Sequence, residues 1–321
     1  MSSCSNKSLG SGELRIVSTV PSATEIVCAL GLIDSLVGVT YGCDFPPEVR
    51  GKPIVVESTM PKGLTMREIH ELVSKAKQQG KNYFSVKLDL LAELKPNLLI
   101  YQGVCDVCSV QQKQVHNTFS VNPSSFNVLS LHAENIMGIL DDIRRVGGAT
   151  AKAVEAASLV RKLSMRIQEL NTMVVVKNRR PRVLLMEWLD PPIVGGHWAP
   201  ELVNLAGGLP TLAESGRPSQ TVSWDEIARE DPDIIVAVPC GYTVPETLRE
   251  MRRISPPEDW WRLKAVREGQ VWVADARSYF SRPGPRFIHG LEILVELLWD
   301  MQAYSDSAGV EPYALAEPWL R

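Results

Sequence analysis

The sequence predicts an α/β protein of two Rossmann-like lobes joined by a long backbone helix, with a ligand cleft between the lobes. Three observations predict it. Short β-branched runs alternate with helical stretches in the first third. Helical periodicity then holds from about Ala133 to Val174, and a second αβ series opens at Arg182. A chain of 321 residues also exceeds one ordinary core and suits two domains of about 100–200 residues each.

The elements follow in order. Arg15 to Val20 reads as a strand, and Pro21 then opens a helix that ends at Gly31. Leu36 to Thr40 is the second strand, closed by Gly42 and Pro46-Pro47. An amphipathic segment from Met66 to Gln78 and a short helix from Leu88 to Leu94 lead into the buried strand Asn97 to Tyr101, and Phe126 to Leu131 is the next strand. Strands separated by helices imply βαβ units and a mainly parallel sheet. The long helical region carries apolar residues at helical spacing (Ile139, Ile143, Val146; Val154, Leu159, Leu163, Ile167), with Gly147-Gly148 as the predicted break. Strands are then expected at Arg182 onward, at Ile234 to Val238 and at Val271 to Ala274, with a closing helix from Phe287 to about Met301. The expected division is a disordered tail 1–13, an N-terminal lobe 14–132, a linking region 133–178, a C-terminal lobe 179–305 and a tail 306–321.

Composition narrows the function. The chain is 45% hydrophobic and 22% charged with a net charge of -3, which offers nothing for nucleic acid or an anionic membrane to grip. No apolar run approaches the roughly 20 residues of a membrane-spanning helix. The polar stretch Met1 to Gly12 has no apolar core of a secretory signal, so the expected location is cytoplasmic, with export the alternative if a leader preceded it. Six cysteines in such a chain read as small hydrophobes, metal ligands or reactive thiols rather than a disulfide framework. No nucleophile elbow, zinc-protease, Walker or dinucleotide motif occurs, which lowers the expectation of catalysis.

The two halves repeat one pattern. DLLAELKPNLLIYQGVC (89–105) and DEIAREDPDIIVAVPC (225–240) each run from Asp to Pro seven residues later, then through an apolar strand to a cysteine. Asp is expected to cap a short helix, Pro to stop it, and the cysteine to emerge at the carboxyl end of a strand, where open α/β sheets place ligands.

Several segments in order then resemble one family. PSATEIVCALGL (21–32), CDFPPEV (43–49), LKPNLLI (94–100), DPPIVGGHWAPELVNLAGG (190–208), VSWDEIAREDPDIIV (222–236) and SYFSRPGPRFI (278–288) are similar to the substrate-binding proteins of cobalamin and iron-siderophore importers. The resemblance covers nearly the whole chain from Arg15. It implies two lobes on one backbone helix, a largely pre-formed cleft, and a corrinoid (cobalamin-like) or other metal-chelate ligand. By motif it places ligand contacts at Asp44, Phe45, Gln102, Gly103, Tyr279, Phe280 and Arg282. Tyr279 stands where cobalamin binders carry Trp, and Ser278 where they carry Asp. It also implies docking to an ABC importer through an acid on each lobe, here Asp89 and Asp225. A monomer with a small-molecule ligand is expected.

The residues add their own candidates. Cys105 and Cys108 form C-x-x-C after a strand, and Cys43 and Cys240 stand at other strand ends, so the four could bind zinc or an iron–sulfur cluster, or act as reactive thiols. That set is the basis for a second reading, a metal- or redox-dependent protein or enzyme on the same fold. Glu187-Trp188 could grip a cationic or aromatic ligand. His197, ahead of a helix opening at Pro200-Glu201, could contact an anion, and Tyr242 follows the strand at 234–238 as a further ligand contact. Arg282, on a loop stiffened by Pro283 and Pro285, suits either bidentate ligand recognition or an ordinary ion pair. Trp260 and Trp261 read as packing residues.

Overall fold

The computed structural model describes residues 13–81, 83–103, 127–304 and 311–320. The N-terminal lobe is built on strands β1 (Ile16–Ser18), β2 (Leu36–Thr40), β3 (Ile54–Ser58), β4 (Phe84–Val86), β5 (Leu98–Gln102) and β6 (Asn127–Leu131). Their order in the sheet is β4-β3-β2-β1-β5-β6, parallel except for β4. Helices α1 (Pro21–Ala29), α2 (Met66–Gln78) and α3 (Leu88–Leu94) connect them. The spacer is α4 (Ile136–Ala149) followed by α5 (Ala153–Val175).

The C-terminal lobe has β7 (Arg182–Leu189), β8 (Pro192–Val194), β9 (Leu209–Pro210), β10 (Gln220–Thr221), β11 (Ile234–Ala237), β12 (Val271–Ala274) and β13 (Tyr313–Leu315). The order is β10-β8-β7-β11-β12-β13, with β9 beside β7. Its helices are α6 (Ala199–Leu205), α7 (Trp224–Glu230), α8 (Val244–Met251), α9 (Lys264–Arg267), α10 (Ala276–Tyr279) and α11 (Phe287–Trp299).

The repeated sequence pattern has a repeated structure. α3 and α7 each end on a left-handed residue directly before the proline, Lys95 (φ 43°) and Asp231 (φ 39°). The aspartates do not cap. Lys87 and Ser223 hold the cap positions, and Ser223 forms a capping box with Glu226, which leaves Asp89 and Asp225 exposed in the first turns.

The break in the spacer lies after Gly147-Gly148, at Thr150–Lys152, where Ala151 takes φ 57°. Gly147 stays helical because α5 crosses close to it. A Cβ there would meet the Ala156 Cβ at 2.4 Å and the Lys152 carbonyl oxygen at 2.9 Å. One apolar cluster runs from α1, β1 and β5 through α4 and α5 into α6 and α11, so both lobes share a core along the spacer. Arg166 of α5 pins α11 as well, donating to Glu292 at 2.7 Å and to the Ala303 carbonyl at 2.7 Å. These contacts stiffen the hinge side.

The expected C-terminal tail is in part structure. β13 pairs antiparallel with β12, and Trp319 is buried edge-on against Trp260 with ring centroids 4.9 Å apart. The C-terminal sheet is therefore mixed, while the N-terminal sheet is mainly parallel as expected. Among the described residues, no helix is long and apolar enough to cross a membrane.

Candidate functional site

Open α/β sheets bind ligands outside the carboxyl ends of their strands, where the strand order reverses. In the N-terminal lobe β1 has β2 on one side and β5 on the other, so the crevice opens beside Gln102 and Gly103 at the end of β5. Gly103 lies flat against β6; a Cβ there would meet the His132 Cε1 at 2.4 Å and the Ser130 Oγ at 2.7 Å. In the C-terminal lobe the reversal falls between β7 and β11. Glu187 and Trp188 end β7, and Cys240 lies level with them, its N–H donating to the Glu187 carbonyl at 3.0 Å. Tyr242 follows and meets Trp188 edge-on at 5.6 Å.

Glu187 is half-buried and accepts a hydrogen bond from the Ser219 hydroxyl, which in turn accepts the Gly196 N–H at 3.1 Å. Loss of solvent raises the Glu187 carboxyl above its usual range, and these hydrogen bonds only partly oppose it. Burial likewise pushes the Tyr242 phenol up to about 12. His197 sits at φ 52° with its N–H on the Arg217 carbonyl, and its Nδ1 is enclosed without a partner. Burial lowers its pKa, so the ring is neutral at pH 7. The helix beside it bonds a neighbouring helix through its first turn. α6 starts at Ala199, and the Glu201 carboxylate in its first turn already accepts the Ile136 N–H at 2.7 Å.

On the hinge side a buried ion network joins the lobes. Arg282 Nη1 donates to Glu25 at 2.9 Å and to Asp44 at 2.6 Å, and its Nη2 donates to the Gly42 carbonyl at 2.9 Å. Arg286 adds bonds to Glu25 at 3.0 and 2.6 Å and lies over the Phe45 ring at 4.0 Å. Burial opposes the charges of Asp44 and Arg282, but their mutual contact overrides it. The Asp44 carboxyl is held below its usual range and the Arg282 guanidinium above its own. Of the two roles open to Arg282, the ion pair is the one the side chain performs. Tyr279 and Phe280, expected in the cleft, are only 5% exposed and belong to the shared core, with the Tyr279 hydroxyl 2.7 Å from that of Tyr304. The motif's small and aromatic residues pack α10 onto α11 instead.

The cysteine set is described only in part. Cys105 and Cys108 lie outside the described residues. Cys43 is buried against the Thr24 hydroxyl at 3.0 Å, and burial pushes its thiol up to about 11. Cys240 is a half-buried free thiol. Among the described residues, no group of three or more His, Cys, Asp or Glu could hold a metal ion. A hollow of about 630 Å³ in the C-terminal lobe is lined by Met251, Trp261 and Pro318 and by none of the crevice residues named above.

The sequence reading missed Glu25, Met66, Arg67, Asp190, Ser219 and Arg286. All act through contacts across long sequence separations, which no local spacing records.

The sequence profile described as "Periplasmic binding protein" matches residues 16–278. The chain belongs to the periplasmic binding protein family. Among curated family members it is 24% identical to the vitamin B12-binding protein of Vibrio cholerae, over 87% of this chain and 86% of that protein. It is 23% identical to an ABC transporter substrate-binding lipoprotein of Bacillus subtilis, over 89% and 80%. Solved family structures share the fold. The periplasmic vitamin B12-binding protein of Vibrio cholerae superimposes with a TM-score of 0.64 at 22% identity, covering 88% of this chain and 96% of that one. A periplasmic heme-binding protein of Pseudomonas aeruginosa gives 0.69 at 18%, covering 91% and 95%. The periplasmic and lipoprotein relatives run against the cytoplasmic expectation and favour its exported alternative.

Proposed function

We propose that the chain carries a corrinoid in the cleft between its lobes. The observation that supports this reading most is the charge state of the site. Arg282 and Arg286, the buried guanidiniums where the lobes meet, are already neutralised by Glu25 and Asp44. Glu187 at the opposite crevice is driven toward its neutral form. The other side chains beside the two crevices, Phe45, Trp188, Tyr242, Gln102 and Ser219, are aromatic or uncharged. A corrin ring bordered by neutral amides suits that surface, whereas heme propionates or an anionic siderophore would need free cations and would meet carboxylates instead. The vitamin B12-binding relatives support the same choice.

Isothermal titration decides it. Cyanocobalamin or cobinamide is expected to bind at about 1 μM or tighter, at least roughly tenfold better than hemin. Tighter hemin binding, or no heat from either corrinoid, would remove the corrinoid reading.

Asp89 and Asp225 present one exposed carboxylate per lobe at matching places in α3 and α7, which fits docking of the loaded carrier on an importer. Uptake of labelled cobalamin by cells carrying Asp89→Lys and Asp225→Lys together is expected to fall at least about tenfold, with affinity in vitro unchanged. Unaltered uptake would exclude this docking mode and leave the chain a carrier without an importer.

A further inference from the structure

Met66 is out of place for a residue of the N-terminal lobe. It opens α2, yet its side chain is 1% exposed and sits in the apolar cluster of the C-terminal lobe with Leu184, Met186 and Val194. Its carbonyl accepts the Trp188 indole N–H at 3.1 Å, and that N–H also reaches the Asp190 carbonyl at 3.1 Å. The next residue, Arg67, grips the Asp190 carboxylate through Nε at 3.1 Å and through Nη2. Trp188 stands at the crevice of its lobe, so this contact bridges the lobes beside the ligand site.

The rest of α2 is lightly held. Ala76 is its only other buried residue, while Ile69, Leu72 and Val73 are half-buried. The helix is self-supporting at its start, where Thr65 and Glu68 form a capping box. Glycines in the left-handed region flank it, Gly63 at φ 81° and Gly80 at φ 63°, and neither has a neighbour that a Cβ would touch within 4 Å. A capped helix between two uncrowded glycines can swing as a rigid piece, with the φ/ψ change absorbed at its ends.

We propose that residues 64–78 form a lid over the crevice, latched to the C-terminal lobe by Met66 and Arg67, and that ligand enters and leaves when this latch opens. The hinge side is fixed by the shared core and the Arg282 network, so the lid supplies the motion that the stiff spacer denies. The kinetic part of this idea rests on the corrinoid reading; the latch itself does not.

Stopped-flow mixing with cyanocobalamin reads the kinetic part. Arg67→Ala, at an exposed residue, is expected to speed both association and dissociation about twofold to fivefold. Met66→Ala should speed both about tenfold or more. Because both rates rise together, affinity changes less than either. Hydrogen exchange on ligand-free protein reads the latch alone: amides of α2 should exchange faster in both variants, and those of β1 and β7 at the original rate. Unchanged exchange and unchanged rates would overturn the lid. So would a loss of affinity with association unaltered, since that makes both residues plain ligand contacts. If the wild type binds no corrinoid, the carrier reading fails, and the exchange result still decides the latch.

Discussion

Arg282→Met is expected to cost about 3–5 kcal/mol of stability, the usual consequence of removing one partner from a buried ion pair. Arg282 and Glu25 are 7% and 3% exposed, so water cannot replace the lost guanidinium. Three bonds go at once, to Glu25, Asp44 and the Gly42 carbonyl. Arg286 still holds Glu25, which keeps the cost from rising further. Urea unfolding should show a lower midpoint with an unchanged slope, and adding Glu25→Gln should deepen the loss, because it takes the carboxylate from Arg286 as well. The pH dependence has a definite sign. The Asp44 pKa is depressed by Arg282, so its contribution is present above the ordinary carboxylate pKa and fades as pH falls through the depressed value. The difference between wild type and variant should therefore shrink in strong acid. A variant as stable as wild type at neutral pH would mean that the lobes are not joined through this network.

The architecture was legible in the sequence because its signals are local. Apolar runs mark β1, β5, β7 and β11, and the Asp-to-Pro repeat marks α3 with β5 and α7 with β11. Local signals also misled where a distant contact decides the outcome. Gly147-Gly148 looks like a helix break, but its small size serves the crossing of α5, and the chain turns at Ala151 instead. The short strands β4, β8, β10 and β13 have too few residues for periodicity to register, and they are fixed by antiparallel pairing with their neighbours. Gln102, Glu187 and Trp188 could be placed at carboxyl ends from the sequence because the order of strand and helix decides where those ends lie. Tyr279 and Phe280 were placed wrongly because an aromatic next to an arginine looks alike in a cleft and in a core. Nothing in RPGPR says that its two arginines reach back some 240–260 positions to Asp44 and Glu25.

Glu187 carries the largest expected effect on binding. Glycine at 196 is what allows the arrangement, since a Cβ there would come within 2.3 Å of the Arg217 carbonyl and 2.5 Å of the Ser219 nitrogen. The close approach brings Ser219 against the Glu187 carboxyl, away from water, and the raised pKa follows. With Ser219 donating to one oxygen, a protonated Glu187 offers its own O–H to an amide carbonyl of the ligand. Affinity for a corrinoid should then be highest below the raised pKa and fall as pH rises through it. Stability of the free protein moves the same way: a raised carboxyl pKa contributes below the unfolded value and is lost as pH climbs through the folded one. Glu187→Gln keeps a donor without the charge, so it should retain affinity and abolish both slopes. Glu187→Ala leaves the ligand amide unpaired in a dry crevice and should weaken binding about tenfold or more at every pH. Titrations from pH 5 to 9 on the three proteins separate the cases. A Gln variant as weak as the Ala variant would show that Glu187 gives the ligand no proton.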